Sequence, residues 1–200
     1  MIEVHPFQTE RLHARPIAVG DQALYLALYS DMKVMLHIGS PLTLDAAARG
    51  FAEVMRQAGE QAGSLSVWVL SERVSDVRIG ILALSGKAGG ESLELGAMLL
   101  PEAQGRGFAA ESQAALLDRL FQTTRIRAVW SRNAELNLAA RSVRMKLGFL
   151  QVSAASQRGE LMRWEMTRAR WQALRASKAA VDDGSIGGDA NMIGMYKCPN

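Results

Sequence analysis

The sequence is poor in the residues that build disulfide-linked or metal-bound folds. Its 200 residues include one cysteine, Cys198, and three histidines, His5, His13 and His37, which do not form a ligand pair at helical spacing. A single cysteine excludes a disulfide framework within the chain and a metal cluster built from thiolates. We therefore expect no metal in the functional site.

Long apolar segments and blocks of like charge are also missing. No apolar run reaches the roughly 18 residues of a membrane helix, and residues 1–15 lack the apolar core of a signal peptide. The charges are interspersed and sum to +3, without the like-charge run that is typical of a nucleic-acid-binding arm. These absences predict a cytoplasmic protein that has no membrane partner and is not expected to bind nucleic acid.

The composition that remains is that of a globular protein. Hydrophobic residues make up 48% and charged residues 22% of the chain, which is enough apolar material for one domain with a sizeable core. After Val181 the sequence becomes rich in Gly, Asp, Ser and Asn. We therefore predict a single domain over residues 1–180 and a disordered tail over residues 181–200.

Hydrophobic periodicity predicts an α/β domain with a mixed sheet, in the element order βαα–βββ–αβ–αβ–β. The predicted strands are 11–17, 67–70, 79–84, 93–100, 126–130, 149–152 and 161–166. The predicted helices are 22–29, 44–58, 108–122, 137–147 and 169–180. We expect the three strands between 67 and 100 to form an antiparallel meander, and Gly148 to cap the helix before it.

The most informative segment is the glycine-rich turn after the strand that ends at Leu100. Residues 104–109 read Gln-Gly-Arg-Gly-Phe-Ala and open a predicted helix. Glycine lets the backbone approach a phosphate without a Cβ in the way, and the free N–H groups and dipole of a helix N-terminus favour an anion. The pattern indicates a pyrophosphate site with Arg106 as an added cation, or else a plain strand–helix turn.

A dinucleotide-binding turn is a second interpretation of the same residues. Gly105, Gly107 and Ala110 fit the G-x-G-x-x-A fingerprint. That fingerprint requires an acid at the end of the next strand, but residues 130–133 read Trp-Ser-Arg-Asn. The preceding strands are also predicted to be antiparallel, so we favour this interpretation less.

Two motifs in order resemble the GNAT superfamily of acetyl-CoA-dependent N-acetyltransferases. Residues 104–109 match its Q/R-x-x-G-x-G/A signature, and residues 137–149, Asn-Leu-Ala-Ala-Arg-Ser-Val-Arg-Met-Lys-Leu-Gly-Phe, resemble its N-x-x-S…K-L-G-F helix. Residues 9–12, Thr-Glu-Arg-Leu, and the element order resemble the branch of ribosomal-protein N-terminal acetyltransferases. The resemblance covers roughly residues 8–170.

The resemblance implies a GNAT fold, whose mixed central sheet is splayed between two parallel strands to bind acetyl-CoA as co-substrate. Here those strands are 93–100 and 126–130. Backbone groups around Met98 and Leu99 are expected to hold the pantetheine arm and polarise the acetyl carbonyl. Asn137 is expected to bond to the coenzyme arm, to orient its helix, or only to cap it. The residues expected to bind the pyrophosphate are Gln104, Gly105, Arg106, Gly107, Phe108 and Ala109.

The implied reaction is direct attack of a neutral primary amine on the thioester within a ternary complex. Glu94 interrupts an apolar strand beside the expected cleft and is the candidate base, directly or through a water. The alternative is that Glu94 faces solvent or pairs with an arginine. A backbone N–H near Leu99 is expected to meet the oxyanion. Glu111, one turn into the helix, is interpreted as a structural acid.

Two departures from the family pattern leave the general acid open. Many members carry a tyrosine four residues before the helix-ending glycine, where this chain has Arg144, and the serine of N-x-x-S is Ala140. Arg144 is therefore placed among the coenzyme-binding residues, and solvent, Arg144, Tyr25 or Tyr29 remain candidate acids. The departures also permit a CoA-binding regulatory domain without turnover.

The sequence does not identify the amine, which is a protein N-terminus or a small molecule. An α-amino group, with a pKa of about 7.7–8.0, is partly neutral at about pH 7, whereas a lysine side chain with a pKa of about 10.4 is almost fully protonated. An α-amino group therefore needs less help from a catalytic base. The first two helices and the final hairpin are expected to select the acceptor, with Trp164 and His37 as candidate wall residues. The protein is expected to be a monomer or a homodimer.

Overall fold

The computed structural model of the chain describes residues 5–59, 64–87, 89–153 and 161–183. Within these residues the strands form a single sheet in the order β1-β2-β3-β4-β5-β6-β8-β7. The strands are β1 (Phe7–Gln8), β2 (Leu12–Pro16), β3 (Leu65–Glu72), β4 (Arg78–Ser85), β5 (Ser92–Leu99), β6 (Ala128–Ala134), β7 (Leu150–Ser153) and β8 (Leu161–Thr167).

The helices follow the predicted periodicity, with one addition. They are α1 (Gln22–Ser30), α2 (Met32–Met35), α3 (Leu44–Gly59), α4 (Phe108–Thr123), α5 (Leu138–Leu147) and α6 (Arg168–Asp182). The short helix α2 was not predicted; Asp31 caps it by accepting from the N–H groups of Lys33 and Val34. Gly148 ends α5 with φ of 80°, as expected for a left-handed C-cap.

The sheet is antiparallel except at one place. Strands β3, β4 and β5 form the predicted meander, while β5 and β6 run parallel and are joined by the crossover helix α4. The predicted pair of strands after α5 is confirmed, but β8 lies between β6 and β7, so the last of the described strands completes the second half of the sheet.

The helices cover both faces of the sheet. Apolar side chains of α1 and α3, such as Leu28 and Phe51, pack on one face against Val69 and Ile81. On the other face, α4, α5 and α6 pack against the inward residues of β5, β6 and β8. Trp164 belongs to this second core and is 4% exposed, so it does not line the acceptor wall for which the sequence suggested it.

The end of α6 can be compared with the predicted start of the tail at residue 181. Helix α6 continues to Asp182 and so includes the first residues of the predicted tail; residues 184–200 lie outside the described residues. None of the helices in the described part of the chain has the length and apolarity to cross a membrane.

Candidate active site

The parallel strands β5 and β6 separate halfway along their length. They pair at Ser92 with Ala128, Leu93 with Val129 and Glu94 with Trp130. Beyond that point β5 pairs only with β4 and β6 only with β8 among the described strands. The split leaves two facing strand edges whose polar backbone groups have no ladder between them, and we call this opening the gap.

The direction of the backbone groups on β5 identifies those that face the gap. Backbone groups of successive strand residues point to opposite edges, and the N–H of Leu100 donates to the carbonyl of Ile79 in β4 at 2.8 Å. The groups of Leu99 and Ala97 therefore point towards the gap, and those of Met98 towards β4. The Leu99 N–H thus faces the gap, whereas the backbone groups of Met98, which the sequence analysis also named, are directed to β4.

The turn after β5 presents a row of free backbone donors. Gly105 and Gly107 have φ of 73° and 84°, which non-glycine residues rarely adopt, and Gly107 caps α4 without any side-chain hydrogen bond. In the described part of the chain, no backbone acceptor bonds to the N–H groups of residues 105–110. Such a row at a helix N-terminus suits a diphosphate. The Gln104 side chain instead donates to the carbonyl of Leu99 at 3.0 Å and ties the turn to β5.

Glu111 holds this turn in place through hydrogen bonds with Thr9 and Arg11. Its carboxylate accepts from the Thr9 hydroxyl at 2.5 Å, from the Arg11 N–H at 2.9 Å and from the Arg11 side chain at 2.6 Å. Arg11 also donates to the carbonyl of Arg106 at 3.0 Å. The Thr-Glu-Arg segment thus has a structural explanation, since two of its residues clamp the first turn of α4. Arg106 itself pairs with Glu72 at 2.5 Å.

Glu94 sits where the gap begins, on the face covered by α1 and α3. Its two carboxylate oxygens accept from Arg132 at 3.0 and 3.2 Å, which is the arginine-paired arrangement that the sequence left open. The Arg132 guanidinium lies 5.1 Å from the ring centre of Trp130, and Arg163 lies 4.5 Å from it on β8. Sequence reasoning missed Trp130 and Arg163, because their proximity depends on the position of β8.

The comparisons with known proteins agree with this geometry. Residues 11–150, well over half of the 200-residue chain, match the family described as acetyltransferase (GNAT) domain. The chain belongs to the GNAT acetyltransferase family. It is therefore an acetyl-CoA-dependent acetyltransferase, and the predicted GNAT fold and co-substrate are confirmed. No curated protein matches the sequence.

Several solved structures share the fold at low sequence identity. A GNAT acetyltransferase from Bacillus anthracis is 16% identical with a TM-score of 0.69, covering 82% of this chain and 99% of that one. Spermidine N-acetyltransferase from Vibrio cholerae, solved with CoA and spermine, is 18% identical with a TM-score of 0.66, covering 80% and 98%. RimL, a ribosomal L7/L12 α-N-protein acetyltransferase solved with CoA, is 15% identical with a TM-score of 0.71, covering 82% and 98%.

The other residues that the sequence analysis named in this GNAT acetyltransferase lie on or beside α1, α2 and α5. The Asn137 side chain accepts from the N–H of Ala140 at 3.0 Å and caps α5, which orients that helix. The rings of Tyr25 and Tyr29 stack 4.3 Å apart. Tyr25 is buried in the α1–α3 core, and this burial raises the pKa of its hydroxyl. His37 is half-buried between α2 and α3.

The Glu111 clamp predicts an acid-sensitive contribution to stability. Burial opposes ionisation of Glu111, but the hydrogen bonds from Thr9 and Arg11 outweigh it and lower its pKa. Because the folded pKa lies below the unfolded value of about 4.3, the contribution is complete above that value and is lost as pH falls through the folded pKa. We expect Glu111→Gln to lower the free energy of unfolding at about pH 7 by about 1–2 kcal/mol.

Urea unfolding at about pH 7 and about pH 3 measures this effect, and the difference between wild type and Glu111→Gln should shrink at the lower pH. Glu53→Gln is the control, since Glu53 pairs with Arg56 on the exposed side of α3 and its loss should change stability little. Equal effects of the two variants would contradict the clamp.

Proposed function

We propose that the enzyme acetylates a weakly basic primary amine, such as the α-amino group of a peptide or protein, by direct attack in a ternary complex. The observation that carries this proposal is the gap itself. It joins an open strand edge, a row of free amides and a carboxylate at a single opening. The donor and the acceptor would approach this opening from opposite faces of the sheet.

The donor side of the proposal follows the free backbone donors. The amides of Gly105 to Ala109 would bind the pyrophosphate of acetyl-CoA, because no protein group of the described residues accepts from them. The pantetheine arm would run along the gap edge of β5 at Ala97 and Leu99. The Leu99 N–H would then meet the acetyl carbonyl and the oxyanion formed from it.

The acceptor side of the proposal rests on Glu94. Its side chain points to the face of α1 and α3, opposite the face of α4 and α5. We propose that Glu94 receives the proton of the attacking amine, directly or through a water. Its carboxylate accepts two hydrogen bonds from Arg132, and carboxylates in general are weak bases. A weak base is sufficient for an α-amino group with a pKa of about 7.7–8.0, because part of it is already neutral at about pH 7. It is poorly suited to an amine with a pKa near 10.4, which is almost fully protonated at that pH.

The structural neighbours are compatible with either class of acceptor. RimL is described as an α-N-protein acetyltransferase and the Vibrio cholerae enzyme as a spermidine acetyltransferase. At 15–18% identity these likenesses show the fold alone, so the choice between acceptors rests on the chemistry of Glu94.

Donor binding is tested first by thermal unfolding with acetyl-CoA, CoA and NADH. Ligand at about 100 times its Kd stabilises the native state by about 2.7 kcal/mol, so a clear rise in Tm is expected with acetyl-CoA and none with NADH. No shift with millimolar acetyl-CoA would overturn the proposed donor site.

The acceptor class is tested with a panel of amines at about pH 7. A peptide with a free α-amino group should react roughly several hundredfold faster than the same peptide with a blocked N-terminus and a free lysine, the ratio of their neutral fractions. Spermidine should behave like the lysine peptide. Faster transfer to spermidine than to the α-amino peptide would overturn the proposed acceptor class.

A further inference from the structure

Arg144 is a buried cation without an anionic partner. It lies on α5, one turn before Gly148, and is 5% exposed. One of its terminal nitrogens donates to the side-chain carbonyl of Gln113 on α4, itself 2% exposed. Its Nε is buried without a hydrogen-bond acceptor, and no carboxylate of the described residues pairs with it.

This arrangement is energetically costly. Arg15 and Arg175, by contrast, have side chains that are 42% and 40% exposed, and they are paired with Asp21 and Asp118. Burial of an uncompensated charge is costly unless an anion is supplied. The same burial lowers the pKa of Arg144 to about 10, which still leaves the guanidinium charged at neutral pH.

The position of Arg144 relates it to the gap. Helix α4 follows β5 and helix α5 follows β6, so the Arg144–Gln113 contact bridges the two helices that flank the gap on one face. Two further buried polar atoms on this face lack partners among the described residues, namely Asn133 Oδ1 and Trp164 Nε1. Asn133 lies on β6 beyond the split, and Trp164 is on the neighbouring strand opposite Ser131.

We propose that Arg144 is a catalytic residue that stabilises the sulfur of coenzyme A as a thiolate when the acetyl group leaves. In this step the amine nitrogen bonds to the carbonyl carbon, the C–S bond breaks and its electron pair goes to sulfur. The amine proton passes to Glu94 or to solvent, and the guanidinium keeps its own protons. Arg144 thus acts as a fixed cation, which makes a proton donor at the sulfur unnecessary.

The sulfur is the anion that best fits this place in the proposed reaction. The pyrophosphate is assigned to the amides of the turn and the oxyanion to the Leu99 N–H. The pantetheine arm between them is uncharged, so new negative charge in the gap develops at the sulfur. This inference rests on the proposed function, because it takes the gap as the place where the thioester is cleaved.

The test compares the binding of CoA with that of desulfo-CoA, which has no thiol, by calorimetry from about pH 6.5 to about pH 9. An ordinary thiol has a pKa of about 8.5. If Arg144 lowers that value in the complex, CoA affinity should rise with pH relative to desulfo-CoA, by about tenfold for each unit of lowering. The ultraviolet absorbance of the bound thiolate should rise over the same pH range.

Three variants make the result specific. Arg144→Gln should remove the pH-dependent advantage of CoA and leave the affinity for desulfo-CoA unchanged. Gln113→Glu should also remove it, because the new carboxylate neutralises the guanidinium in place, and this variant keeps the test available if Arg144→Gln fails to fold. Arg141→Gln is the matched control, since Arg141 lies exposed on the same helix and should change nothing.

Other outcomes would overturn the proposal. Equal losses of CoA and desulfo-CoA affinity in Arg144→Gln would make Arg144 a ligand of another part of the coenzyme. Selective loss of binding to malonyl-CoA or succinyl-CoA would make it a receptor for an acyl carboxylate. If the pH-dependent binding is found but no amine is acetylated, the assignment of Arg144 stands and the proposed acceptor chemistry fails.

Discussion

Gly105→Val should reduce the affinity for acetyl-CoA by at least about a hundredfold, corresponding to about 2.7 kcal/mol. Gly105 adopts φ of 73°, a conformation that a β-branched residue cannot hold without strain. The turn must therefore change shape, and the amides of residues 105–109 lose their common direction. Each charge-assisted hydrogen bond lost to the pyrophosphate costs about 1.5–3 kcal/mol, so the loss of two is sufficient for the effect.

A matched variant separates this effect from simple loss of stability. Gly89 has φ of 72° and, like Gly105, open space around the position of a Cβ, but it lies in the loop at the opposite end of β5. Gly89→Val should lower Tm by a similar amount and bind acetyl-CoA like wild type. Calorimetry and thermal unfolding of both variants give the answer. Similar acetyl-CoA affinities in the two variants would show that the turn is a plain structural loop.

Glu94→Gln should lower kcat/KM for the amine by about a hundredfold or more, which is the usual contribution of a positioned base. The amide keeps the shape of the side chain but cannot take the proton of the amine. The Kd for acetyl-CoA should stay near that of wild type, because Glu94 faces the side of the sheet away from α4 and α5. Steady-state kinetics with an α-amino peptide, together with calorimetry for acetyl-CoA, separate the two effects.

Glu91→Gln provides the control for the loss of an arginine-paired glutamate. Glu91 pairs with Arg127 at 3.2 Å at the closed end of the β5–β6 pair, outside the gap. We expect this variant to keep the activity of wild type. Full activity in Glu94→Gln as well would mean that the amine reaches the site already neutral and that Glu94 serves only to hold Arg132.

Local structure was predictable wherever one residue type or one period determines it. Alternation and helical spacing located the strands and long helices, and the glycine pattern located the turn at Gly105 and Gly107 and the cap at Gly148. The missed elements, Phe7–Gln8 and Met32–Met35, are too short to show a period. They form because neighbouring strands and a capping aspartate complete their hydrogen bonds.

The contacts of the site depend on pairings that a single sequence does not display. Glu94 meets Arg132 across 38 residues because β5 and β6 pair up to Trp130. Trp164 was expected at a wall because the position of β8 was unknown. The burial of Arg144 could have been predicted from helical spacing. Arg144 lies four residues after Ala140 and three before Leu147, and therefore on the face of the helix that was predicted to point inward.

The insertion of β8 beside β6 makes the gap depend on a strand that is synthesised after both strands that line it. Strand β6 shares three registered pairs with β5 but seven with β8, so one wall of the gap is held mainly by residues 161–167. A nascent chain released only as far as α5 contains the turn at Gly105 and Gly107, yet lacks the strand that supports the second wall of the gap. Both walls of the gap are therefore supported only after Thr167 has left the ribosome.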